Sequence, residues 1–174
     1  MNLRYQVLGC LIMFFGFMGN TNAQTNEQHI NRTYQLFCKA YHNLDANLLT
    51  SLYTKDAVLL NLYDSSDPNS VKGNERIASY FERFFNNVIG AGQELRLSFK
   101  IITREVNPKT ICDNGYYQLT IISKDRPDQT SYGKLAAVLT LEENQWKFKI
   151  DANTNTDEKE FLTAKAITTV TWQP

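Results

Sequence analysis

Chemistry needs side chains that donate, accept or carry charge from fixed positions, and few residues in this chain stand where a fold would fix them. Asp151 is the carboxylate closest to such a place, at the end of the apolar alternation Trp146, Phe148 and Ile150. By strict period two it falls on the opposite face, with Lys147 and Lys149. The plain expectation is therefore a solvated charge; only a bulge after Ile150 would turn it inward, where it could serve as an acid or base. Asn61 and Tyr63 share one parity at the end of an earlier apolar run and could present an amide and a hydroxyl to the same space. Asp45 and Asp56 read as a helix cap and a turn residue. His29 and His42 both fall on the first helix, with His42 on its polar shoulder. No Gly-rich phosphate loop, nucleophile elbow or carboxylate pair at a meaningful spacing is present. Neither the acids nor the histidines have the partners a metal requires, so no metal and no cofactor is expected.

The elements that would position these residues follow from periodicity. Ile30, Tyr34, Phe37, Cys38 and Tyr41 make the stripe of an amphipathic helix from Glu27 onward. Asp45 would cap a short second helix, Ala46 to Tyr53. Asp56 to Tyr63 reads as a strand, and Asp64 to Asn69 as a loop. Beyond Gly73, the residues Ile77, Tyr80, Phe81, Phe84, Phe85 and Val88 form a third helix with an aromatic face, stopped at Gly90-Ala91-Gly92. Four period-two segments then follow, around Leu95 to Ile101, Tyr117 to Ile121, Leu135 to Leu141 and Trp146 to Ile150. Turns are expected at Asp113-Asn114-Gly115 and Glu142-Glu143-Asn144. Helices first and an antiparallel meander afterwards make an α+β layer fold. The tail, residues 158–174, reads as an extension with a turn of helix at Glu158 to Ala166 and an edge strand at Ile167 to Trp172.

Val7 to Met18 is an apolar run of signal-peptide length, too short to span a bilayer, and Ala23 is a suitable residue before a cleavage point. Residues 1–23 are thus expected to be removed, leaving about 150 of 174 residues as one domain, exported to a periplasm or secreted, with no stable membrane insertion. The chain has 18 basic and 18 acidic residues; this balance gives no field that would draw it to nucleic acid. After cleavage Cys38 and Cys112 remain. Export would permit a disulfide between them, and the plain alternative is two buried thiols.

Four local patterns carry a resemblance: Tyr41-His42-Asn43-Leu44-Asp45, then Leu52-Tyr53-Thr54-Lys55-Asp56-Ala57-Val58, then Lys72-Gly73-Asn74-Glu75-Arg76-Ile77 with Tyr80-Phe81, and Asn144 to Asp151. In this order they resemble the nuclear transport factor 2-like superfamily, in its SnoaL-like and ketosteroid-isomerase-like branches, over residues 24–157. The resemblance implies a cone-shaped, cystatin-like roll, three helices lying in the concavity of a curved antiparallel sheet around a pocket, often dimeric through the outer sheet face. It also implies a tyrosine where this chain has Phe37 and an aspartate base where it has Asn61. Phenylalanine donates no hydrogen bond and a neutral amide takes no carbon-bound proton, so ketosteroid isomerisation by that route is not expected. A scytalone-dehydratase-like site would need histidines that this chain does not place on strands.

With the isomerase positions vacant and aromatic residues abundant, the expected role is a pocket that binds a small apolar or cyclic molecule, with Phe37, Tyr41, Asn61, Tyr63, Tyr80 and Phe84 as ligand contacts. Tyr34, Tyr41, Tyr53 and Tyr80 read first as core aromatics. The alternatives are a SnoaL-like isomerase, cyclase or hydrolase using Asn61, Tyr63 and Asp151, and a module that pairs with itself or another protein through its outer sheet face.

Overall fold

The structure is a computed structural model that describes residues 21–63 and 69–173. The first 20 residues of the expected signal segment, and residues 64–68 of the expected loop, lie outside the described residues.

Helix α1 (Thr21–Asn43) begins before the expected Glu27 and buries the stripe of Ile30, Tyr34, Phe37 and Cys38, while Arg32 and Gln35 face out. It ends where Leu44 turns into the left-handed region at φ 54°. Asp45 then accepts the Leu48 backbone N–H at 2.9 Å and starts α2 (Ala46–Ser51). This satisfies an orphan donor of the first turn. The helix stops short of Tyr53, which instead opens β1 (Tyr53–Asn61). Antiparallel to β1 runs β2 (Asn69–Lys72), a strand with no signal in the sequence beyond Val71. Gly73, at φ 87°, makes the corner into α3 (Asn74–Gly90), whose Ile77, Phe81, Phe85 and Val88 are buried.

Four long strands follow: β3 (Gln93–Asn107), β4 (Thr110–Ser123), β5 (Gln129–Glu142) and β6 (Gln145–Thr156). The expected turn at Glu142-Glu143-Asn144 is present, with Glu143 and Asn144 at φ 50° and 62°, the two positive angles of a hairpin that follows strand twist. The expected turn at Asp113-Asn114-Gly115 is not a turn. The chain reverses at Pro108-Lys109, and β4 runs straight through Gly115. A glycine is needed there for another reason: a Cβ would lie 2.0 Å from the Lys100 carbonyl oxygen, beside the register shift that β3 makes between Ile101 and Thr103.

One seven-stranded sheet results, in the order β2-β1-β6-β5-β4-β3-β7. It is mixed rather than wholly antiparallel, because β1 and β6 are parallel. β7 (Thr168–Thr171) is the edge strand expected of the tail. Before it, α4 (Glu158–Thr163) lies across the outer sheet face. Phe161 packs on Tyr132, ring centres 5.0 Å apart, and Lys100 stands 4.3 Å over its ring. Glu160 accepts from the Tyr116 hydroxyl at 2.9 Å and pairs with Lys134 at 2.6 Å. A second copy meeting this face would find that part already covered.

Cys38 and Cys112 are both free. Cys38 is buried on the core side of α1, where burial pushes its thiol up to about 12, whereas Cys112 is exposed. Its neighbours Ile111 and Asp113 are buried, so strand alternation places Cys112 outward, with the sheet between it and Cys38. Neither the disulfide nor the pair of buried thiols is therefore formed.

Candidate functional site: an aromatic cavity around Asp151

Helices α1 and α3 do not fill the concave side of the sheet. A cavity of about 340 Å³ remains, with Phe37, Phe81, Phe99 and Phe148 among its apolar walls. Asp151, Asn153 and Asn155 of β6, Asn61 of β1 and Ser131 of β5 supply polar groups, and Tyr34, Tyr41, Tyr63, Tyr80 and Tyr117 add rings and hydroxyls. Among the described residues, no lysine, arginine or histidine lines it.

Asp151 reaches this space through an irregularity in β6. Val138 pairs with Ile150 and Leu139 with Phe148, so Lys149 is an extra residue on its strand. A bulge of this kind resets which face each following residue takes. Ile150, expected in the core, is 36% exposed, and Asp151 faces the cavity. The outward placement expected for Asp151 is thus corrected by a bulge that comes before Ile150 rather than after it. Lys149 turns away and pairs with Asp56 at the surface. The reset parity also brings in Asn153 and Asn155, whose period-two spacing from Asp151 is the one sequence sign of a shared polar face.

Among the described residues, the Asp151 carboxylate accepts one side-chain hydrogen bond, from the Tyr53 hydroxyl at 2.5 Å. Burial raises its pKa to about 6, and the Tyr53 hydrogen bond offsets only part of that rise. Tyr53 in turn is kept protonated, first by burial and then by the charge of Asp151. A carboxyl group in this state exchanges its proton near neutral pH, the range in which an acid or base works best.

Two tyrosine contacts shape the same cavity, one of them from β1, the strand next to β6. The hydroxyls of Tyr63 and Tyr117 lie 2.7 Å apart, and the Asn61 amide donates to the Tyr80 hydroxyl at 3.5 Å. Tyr117 can lie where it does only because its cross-strand partner is Gly133: a Cβ there would stand 2.2 Å from the ring. Among the described residues, two buried polar atoms lack a well-formed hydrogen bond, Asn153 Oδ1 and the Tyr34 hydroxyl, the latter lying against the Asp113 carboxylate, and both residues line the cavity. Unpaired buried groups are costly and commonly mark a place where another molecule completes the bonding.

The structure thus brings Phe37, Tyr41, Asn61, Tyr63, Tyr80 and Asp151 together on one cavity. Phe84 is not among the lining residues; it is half-buried behind them, its ring 6.0 Å from Tyr41 and 5.5 Å from Phe85. Phe81, one turn earlier on α3, takes the wall instead. Tyr53, read as a core aromatic with a water or backbone partner, gives its hydroxyl to Asp151. Among the described residues no group of three His, Cys, Asp or Glu could hold a metal ion, and no helix is long and apolar enough to cross a membrane.

A curved mixed sheet closed by helices, with an acid and tyrosines converging on its hollow, defines a cystatin-like roll of the nuclear transport factor 2-like type. The chain belongs to the SnoaL-like domain family, whose model matches residues 30–150. Solved structures agree on the fold. An NTF2-like protein with a cystatin-like fold from Novosphingobium aromaticivorans superposes with a TM-score of 0.65 at 14% identity, over 82% of this chain and 94% of that one. A protein of unknown function from Mycobacterium tuberculosis gives 0.66 at 14% identity, over 86% and 83%. An NTF2-like protein of unknown function from Shewanella oneidensis gives 0.58 at 15%, over 75% and 99%. No curated protein matches the chain.

Proposed function

We propose that this protein is an exported pocket protein that binds one small, largely apolar molecule in the cavity between sheet and helices. The observation that carries the reading is the cavity itself: about 340 Å³, walled by aromatic rings, with a few polar atoms gathered around Asp151. This is the usual make-up of a small-molecule site, where apolar area supplies affinity and sparse polar groups set orientation. Export rests on the run Val7 to Met18 and the small residue Ala23. Native mass spectrometry of the protein purified from its own host should show a retained small molecule, and N-terminal sequencing of the same sample should begin at Gln24. Protein that is uniformly empty, from a host grown under varied conditions, would count against the binding role.

A second reading is favoured by one group. Asp151, titrating near 6 beside Tyr53, has the properties of a general acid or base for a SnoaL-like reaction on a cyclic carbonyl compound. Incubation with a panel of cyclic ketones in D2O, followed by NMR, would reveal proton abstraction as deuterium uptake that rises with a midpoint near pH 6 and disappears in Asp151→Asn. Uptake equal in the variant and the parent would remove Asp151 from that role.

A further inference from the structure

We propose that the ligand of this cavity is a cation, a protonated or quaternary amine carried on an apolar body, seated against Asp151 within a cage of tyrosine rings. The proposal rests on the binding role argued above and adds the chemical class of the ligand.

The charge balance of the interior carries it. Two carboxylates face inward from neighbouring parts of one row across the sheet, since Asp113 pairs with Ala137 and Ala137 with Asp151. Asp113 is matched: Arg104 binds both its oxygens at 2.8 Å, and Arg104 gives its third contact to Asn31 at 2.9 Å. The guanidinium is thereby committed. Asp151 has, among the described residues, only a phenol. The titratable groups that feel its charge are tyrosines from every packed element: Tyr34 and Tyr41 of α1, Tyr53 of β1, Tyr63 beyond β1, and Tyr117 of β4. Tyr80 of α3 lines the same space. Burial holds the Tyr34, Tyr41, Tyr53, Tyr63 and Tyr117 hydroxyls in their neutral form. A buried carboxylate with no counter-charge is an unbalanced site, and it is balanced most economically by a ligand that brings the positive charge.

The walls favour the same class. Tyrosine rings present negative faces, and a cation held over them gains an electrostatic attraction that no neutral isostere receives. Asn153 Oδ1, buried and unpaired, is an acceptor and so suits an ammonium N–H. An anion would meet Asp151 with no lysine, arginine or histidine among the described lining residues to offset the repulsion.

The test uses the folded chain and three probes of one shape: benzyltrimethylammonium, benzyl alcohol and benzoate, titrated by calorimetry at pH 7.5 and 5.0. The cation should bind at least about tenfold more tightly than the alcohol at pH 7.5, and benzoate more weakly than either. Because the probe carries a fixed charge, its affinity should fall about tenfold at pH 5.0, where Asp151 is mostly protonated, while that of the alcohol holds steady. Asp151→Asn should bring the cation down to the level of the alcohol. Tyr80→Leu keeps apolar bulk, and should weaken the cation several-fold more than the alcohol even if the first variant folds poorly. Equal binding of alcohol and cation, or a cation affinity indifferent to pH, would overturn the charge argument and leave the pocket standing. Failure of all three probes to bind would overturn both.

Discussion

Asp113 and Asp151 are two inward carboxylates on one sheet, a strand apart on either side of Ala137, and they live in opposite circumstances. Asp113 sits at the end of the hollow where Arg104 closes on it with two bonds, both side chains almost wholly buried at 5% and 0% exposure. Asp151 sits where the sheet faces open space, with a single phenol and a pKa displaced to about 6. The first arrangement is complete in itself and holds α1 to the sheet through Asn31. The second is incomplete in the protein alone, which is what a binding or reacting group requires. The same residue type on the same scaffold is thus structural or functional according to whether the fold supplies its partner.

The largest test of this contrast removes the partner that Asp113 has. Arg104→Met leaves a buried carboxylate unpaired and should cost about 3–5 kcal/mol of stability, the usual penalty for breaking a buried ion pair from one side. Chemical denaturation at pH 7 measures it. A loss below about 1 kcal/mol would mean that Asp113 finds water or protonates without penalty, and the distinction between the two acids would fail.

The next effect has the opposite sign. Asp151 is an acid whose folded pKa, about 6, lies above its ordinary 3.8, so the folded state holds the proton more tightly than the unfolded chain does. Its contribution is therefore favourable below about pH 4, falls as pH rises from 4 to 6, and stays low above that window. The full difference corresponds to about 3 kcal/mol. Asp151→Asn should recover some of this, stabilising the fold by about 1–2 kcal/mol at pH 8 and leaving it nearly unchanged at pH 4. A variant that is destabilised equally at both pH values would show that Asp151, like Asp113, is part of the framework.

How far the sequence reveals these two acids differs for physical reasons. The apolar stripes of α1 and α3, the Asp45 cap and the Gly73 corner are set by local spacing, so the fold class is legible from them. Asp113 misleads because Asp113-Asn114-Gly115 is a strong local turn signal. It is overridden by tertiary demands: the ion pair with Arg104 and the close approach of the Lys100 carbonyl to Gly115. Asp151 misleads because parity counting assumes an unbroken ladder, and the single extra residue at Lys149 leaves no trace in composition. β2 is hidden because a four-residue strand following a polar loop has too few apolar positions to alternate. Phe84 and Phe81 are separated only by which side of α3 faces the hollow, and both lie on an aromatic stripe wider than the surface it covers.

The finest distinction lies in the one bond that Asp151 does have. If the Tyr53 hydroxyl merely fills space, Tyr53→Phe should leave the acid where it is. The hydroxyl donates to Asp151 at 2.5 Å, and a donor stabilises the ionised form, so it is the force that keeps the pKa from rising further under burial. Losing it should shift the Asp151 titration upward by about one unit, equivalent to about 1.4 kcal/mol. Carboxyl-carbon NMR across pH 4 to 9 reads this directly. At pH 7 the variant would then hold Asp151 about half protonated, and affinity for a fixed cation should fall about twofold although no residue touching that cation has changed charge type. An unmoved Asp151 titration would assign the bond a packing role, and the ionisation of the cavity would be governed by burial alone.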